Sequence, residues 1–126
     1  MSRGLFDEYM HSKTWSLVEL APAELGDLYY PGANWSYASK SGRLADGARM
    51  FENEHDVAHP KYESDKERIL RISNRYQRGD HLERPIAVQE NARIILVEGC
   101  ARTTAYIIAS LPRPLSMFYG VSPSFG

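Results

Sequence analysis

The chain predicts a small α/β (α+β) domain in which helices pack a mixed β-sheet, and three observations carry that expectation. Its 126 residues suit a single domain, residues 1–126, and 43% apolar residues can bury a core without metal or disulfide staples. Short β-rich apolar runs alternate with segments of helical period. One such switch runs across Gly99.

Trp15-Ser16-Leu17-Val18-Glu19-Leu20 reads as a first strand. Pro22 suits the first turn of a helix that Glu24, Leu25, Leu28 and Tyr29 continue until Pro31-Gly32 stops it. Residues 33–42 are rich in Asn, Ser, Tyr, Gly and Lys without a clear period, which marks a loop, and Leu44 to Phe51 forms a short helix. Ser64-Asp65-Lys66-Glu67 fits a capping box, so a helix is expected from about Asp65 to Gln77, ended by Gly79. On it Ile69, Ile72 and Tyr76 share one face, and Arg68, Arg71, Arg75 and Arg78 form an adjacent stripe about 80° wide. Pro85-Ile86-Ala87-Val88 and Arg93-Ile94-Ile95-Leu96-Val97 are strands joined by a turn at Gln89-Glu90-Asn91-Ala92. Residues 98–102 interrupt the second of them, Thr103 to Ala109 is helical until Pro112, and Ser116 to Val121 makes a last strand.

Composition narrows the function classes. The net charge is −1, but residues 1–60 hold five Lys/Arg against nine Asp/Glu, whereas residues 61–102 hold nine against seven. A general nucleic-acid coat would make the whole domain basic, so any anion binding is expected to be local. No apolar stretch reaches the roughly 20 residues of a membrane span, and Met1 to His11 lacks an apolar signal core. With Cys100 the single cysteine, an internal disulfide is excluded, and the expected location is the cytoplasm.

The most informative segment is Gly99 to Tyr106. A buried strand that turns on glycine into a helix leaves the first helical N–H groups unpaired at the positive end of the helix dipole, which suits an anion. Gly99, Cys100 and Ala101 supply backbone, Arg102 a planar bidentate donor, and Thr103 and Thr104 hydroxyls. The plain alternative is an ordinary strand-turn-helix connection with Arg102 in solvent.

The run Val97 to Tyr106 resembles the sulfiredoxin signature F-G-G-C-H-R-Y-A-A-Y at Gly99, Cys100, Arg102, Ala105 and Tyr106. It is also similar to the G-E-R-R-x-R-A phosphate motif of ParB proteins at Gly99, Arg102 and Ala105. Upstream, a helix, the Gly79 break and Arg84-Pro85-Ile86-Ala87-Val88 look like the superfamily segment in which a helix leads into a P-I-x-V strand. The resemblance, about Lys61 to Ala109, implies a fold that binds a nucleoside triphosphate at this turn. Relatives use it for CTP hydrolysis, sulfinate repair with ATP, or phosphorylation of free serine. Fold does not choose among these. Ala101 stands where sulfiredoxin has His, and Glu98 replaces a glycine, so sulfinate repair is not the expected activity.

These readings assign phosphate binding to residues 99–104 with Arg75, on ATP or CTP with Mg²⁺. Asp80, Glu83 and Glu98 are the candidate catalytic carboxylates, with His81 beside them. Cys100 has the position of an activated thiolate, but without the neighbouring His it is read as packing the turn. His55 and His59 have metal-ligand spacing, yet Pro60 ends any helix there and no third ligand is fixed, so no metal site is assigned. The expected function is nucleotide binding, with phosphoryl transfer or hydrolysis as the chemistry. The alternatives are a DNA-directed module using the arginine stripe, for which no helix-turn-helix follows the phosphate motif, and a non-catalytic interaction domain. A membrane partner is not expected, and a homodimer is left open.

Overall fold

A computed structural model describes residues 14–54 and 57–121. Met1 to His11, and His55 with Asp56, lie outside the described residues. Four strands, β1 (Thr14–Leu20), β2 (Ile86–Glu90), β3 (Arg93–Glu98) and β4 (Leu115–Val121), form one mixed sheet in the order β1-β4-β2-β3. The helices are α1 (Pro22–Leu25), α2 (Leu44–Asn53), α3 (Tyr62–Gln77) and α4 (Cys100–Ala109). β1 and β4 pair antiparallel, as do β2 and β3, while β2 and β4 run parallel. The expected pairing of Ile86 to Val88 with Ile94 to Val97 is present, and its two-residue turn at Asn91-Ala92 is shorter than the four residues that polarity suggested.

Alternation along the strands decides what is buried. Ala87, Leu96 and Met117 point into one core with Leu25, Leu44, Phe51, Ile69 and Tyr106 from helices. Each large apolar side chain fully buried there stabilises the fold by about 1.5–3 kcal/mol. On the opposite face Leu17 and Phe118, direct partners across β1 and β4, stay exposed. Trp15 covers Gly120, where a Cβ would meet its ring at 2.7 Å.

Three helix boundaries differ from expectation, each for a local reason. α1 has one turn, because Tyr29 leaves the helix to bridge β3: its N–H donates to the Ile94 carbonyl and its carbonyl accepts from Leu96, both at 2.9 Å. α3 begins at Tyr62, and Ser64 donates to the Lys61 carbonyl at 3.2 Å inside the first turn instead of capping it. α4 begins at Cys100, so the expected five-residue interruption shrinks to Gly99. The end of α3 is as read: Gly79 has φ 93°, and the N–H groups of Gly79 and Asp80 donate to the carbonyls of Tyr76 and Arg75, both at 3.0 Å. This is a Schellman motif, which turns Asp80 back toward the last turn of α3.

Gly47, inside α2, packs directly under the ring of Tyr30. Alanine there favours the helix by about 1 kcal/mol, but its methyl would occupy the space of the buried Tyr30 ring. Gly47→Ala is therefore expected to destabilise by about 1–3 kcal/mol, the cost of overpacking, measured by urea denaturation. A gain in stability would show that Tyr30 has room to move.

Candidate functional site

The site is built on Gly99. It caps α4 in the left-handed region, φ 89° and ψ 27°. A Cβ there would meet Cβ of Pro85 at 2.9 Å, and Pro85 is itself buried and accepts the Phe118 N–H at 3.0 Å. Glycine is therefore required twice, for the turn and for close approach of two segments.

No side chain caps the first turn of α4, and no acidic residue lies in it. Its leading N–H groups are left for solvent or ligand. Arg102 folds back over this end, with Nη2 3.2 Å from the Cβ position of Gly99. Its Nε is buried without a hydrogen-bond partner. Arg68 comes from α3 to line the same cleft, of about 360 Å³, with Trp35, Ile72, Glu98, Gly99, Cys100 and Ala101. Arg68 keeps its Asp65 partner at 3.4 Å and Glu98 lines the same cleft, so the charge left without a partner at this helix N-terminus is that of Arg102.

Ile72 and Arg102 also wall a second cleft, of about 380 Å³, that holds Arg75, His81, Leu82 and Glu83. The structure thus gathers Glu98, Gly99, Cys100, Ala101 and Arg102 in one cleft, and Arg75 and Glu83 in the next. Asp80 lines a third, with His81, Arg84 and Arg113, and ion-pairs with Arg75 at 3.3 Å and Arg78 at 2.7 Å. The Arg78 hydrogen bond, helped by Arg75, holds its carboxyl below the usual range, which makes it a weak proton acceptor.

Thr103 and Thr104 are fully buried, and their hydroxyls donate to the Gly99 and Cys100 carbonyls, each at 2.8 Å. Their side chains serve the helix, and backbone with the Arg102 guanidinium is left on this turn for an anion. The hydroxyl proton of Thr104 is spent on Cys100, so the 2.7 Å bond to Tyr30 has Tyr30 as donor. Burial raises the Tyr30 pKa, against a smaller lowering effect of the Thr104 bond, and keeps that proton in place. Tyr76 is the other buried group without a partner among the described residues. Its pKa is raised by burial, against an opposing effect of the Arg102 charge.

The arginine stripe of α3 is matched by carboxylates. Arg68 pairs with Asp65 at 3.4 Å, Arg71 with Glu67 at 3.7 Å, and Arg75 and Arg78 with Asp80. Trp35 was hidden in a polar loop without period; a large aromatic among Asn34, Ser36 and Ser39 was the available signal. His59 stacks on Tyr37, ring centroids 4.1 Å apart. Among the described residues, no three His, Cys, Asp or Glu side chains are placed to hold a metal ion, and no helix is long and apolar enough to cross a membrane.

Burial raises the Cys100 thiol to about 11 against an ordinary value of 9.0, outweighing its own backbone N–H and the Arg102 charge. The pKa is higher folded than unfolded, so this group's contribution to stability is complete below about pH 9 and is lost as pH rises through about 11. Alkylation by iodoacetamide in native buffer should follow a midpoint near 11, and in urea a midpoint near 9. A native midpoint below 8 would show an activated thiolate. No protein-family model, curated protein or solved structure matches the chain.

Proposed function

We propose that the chain is a nucleotide-binding domain of the ParB/sulfiredoxin-like kind, which holds the phosphates of ATP or CTP at the start of α4. The observation that carries this reading is the meeting of Arg68 and Arg102 at an uncapped helix N-terminus, with Arg102 Nε buried and unpaired. The unpaired Arg102 Nε and the uncapped helix start favour an anion there. A triphosphate can satisfy leading N–H groups and both guanidiniums at once, where a single carboxylate cannot. Backbone from Gly99 to Arg102 makes the cradle, and Arg102 supplies the planar donor.

Glu98 or Glu83, the carboxylates in the two clefts, would hold Mg²⁺, an ion that usually takes one or two carboxylates beside substrate phosphates. Bound there, it would neutralise charge developing on the phosphates. Glu98 and Glu83 are also the candidate bases for hydrolysis or transfer, since Asp80 is engaged by two arginines. The pairing of Arg71, Arg75 and Arg78 with carboxylates favours nucleotide over DNA, because those three charges are balanced within the helix and its C-terminal turn. A cytoplasmic location remains part of this proposal.

Arg102→Ala removes up to two charge-assisted hydrogen bonds of about 1.5–3 kcal/mol each, so triphosphate affinity should fall at least tenfold. Arg102→Lys should restore part of it, because the charge is kept and the fork is lost. Arg75→Ala, whose partner is Asp80, should change affinity little. Calorimetric titration of the three variants with ATP, CTP and a short duplex checks this. Undiminished nucleotide affinity in Arg102→Ala would remove the start of α4 as the site.

A further inference from the structure

We propose that Trp35 reads the flat ring of the ligand, so that a nucleobase stacks on the indole while the phosphates lie against the first turn of α4. The inference rests on the nucleotide reading above and names the side chain that holds the base.

Three observations place the indole for this role. Trp35 is half-buried and lines the same cleft as Arg68, Gly99 and Arg102, so ring and phosphate subsites share one space. One face of the indole is filled by Tyr30, stacked with centroids 5.1 Å apart and planes within 13°, and Phe51 meets it edge-on at 79°. Support on one face and from one side fixes the plane of the ring and leaves its cleft side for a ligand. The backbone is held too: the Trp35 carbonyl accepts the N–H groups of Ala38 and Ser39, both at 3.0 Å.

The third observation joins the platform to the cradle. The Tyr30 ring that supports Trp35 donates its hydroxyl to Thr104 at 2.7 Å, and Thr104 donates to the Cys100 carbonyl at 2.8 Å, in the first turn of α4. Indole and helix start are therefore set in one mutual geometry before ligand arrives, which lowers the ordering cost of binding. An indole partly open to a polar cleft gains by covering that apolar surface with another ring. Stacking tolerates any base and scales with overlap, so a purine gains more than a pyrimidine.

The test compares wild type, Trp35→Phe and Trp35→Leu by calorimetry with ATP, CTP and inorganic tripolyphosphate, and follows tryptophan fluorescence. In Trp35→Leu, ATP affinity is expected to fall about tenfold, the size of one base–aromatic stack, CTP affinity to fall less, and tripolyphosphate affinity to hold. Trp35→Phe keeps a flat face and should recover most of the ATP affinity. ATP should quench wild-type fluorescence, tripolyphosphate should not, and Trp35→Phe, which leaves only Trp15, should show no quench. Equal affinity for ATP and tripolyphosphate, unchanged in Trp35→Leu, overturns the role of Trp35 and leaves the phosphate site standing. A parallel loss of both ligands in Trp35→Leu overturns it as well, by showing a part in the fold alone. Failure of wild type to bind either ligand removes both readings.

Discussion

Everything at the candidate site depends on the contact between Gly99 and Pro85. The two residues sit at the end of β3 and just before β2, and they approach so closely that no side chain fits between them. That approach sets where β3 stops and the direction in which α4 leaves the sheet. It also aims the first turn of α4 at α3 and brings Arg102 and Arg68 into one cleft. The turn places Arg102 at a helix end that is already positive.

A buried polar relay complements this steric constraint. Tyr30 and Thr104 lie 74 residues apart in sequence, yet their hydroxyls meet inside the core. Without Thr104 the Tyr30 hydroxyl would carry the penalty of a buried polar group, so the pair specifies one relative placement of the loop after α1 and the start of α4. Gly47 makes room for the same ring. The two threonines that looked like phosphate ligands thereby acquire a structural explanation: β-branched hydroxyls in a first turn can bond carbonyls of the preceding residues, and both are buried inside the core.

Much of the architecture was legible because strands and the long helix carry strong local patterns. Ile86 to Val88 and Ile94 to Val97 are short and β-rich, and Ile69, Ile72 and Tyr76 recur at helical spacing, so pairing and packing followed from period alone. The failures have physical causes of one kind, non-local competition. Tyr29 fits the periodic face of a longer α1, but its backbone bonds to the edge of β3, a partner about 65 residues away that no local window contains. Ser64 fits a cap, but the helix had already begun. At the site, Gly99 and Arg102 could be read from chemistry and spacing, while Trp35 enters the cleft through a loop whose course is set by aromatic stacking on Tyr30 and Phe51. Asp80 looked near the turn, and the Schellman geometry at Gly79 hands it to Arg75 and Arg78 instead.

The strand order also has a consequence for how the chain reaches this state during synthesis. β4 comes after every other described element, yet it lies between β1 and β2 and is the sole strand that β1 pairs with. Until it emerges, β1 is a solitary extended segment, and the β2–β3 hairpin holds only half a sheet. Joining the halves requires closing a loop of most of the domain's length, an entropic toll that slows such non-local pairing relative to helices and hairpins. Helix α3 and the hairpin can assemble early, but among the described strands β1 has no partner until residues 115–121 have emerged from the ribosome.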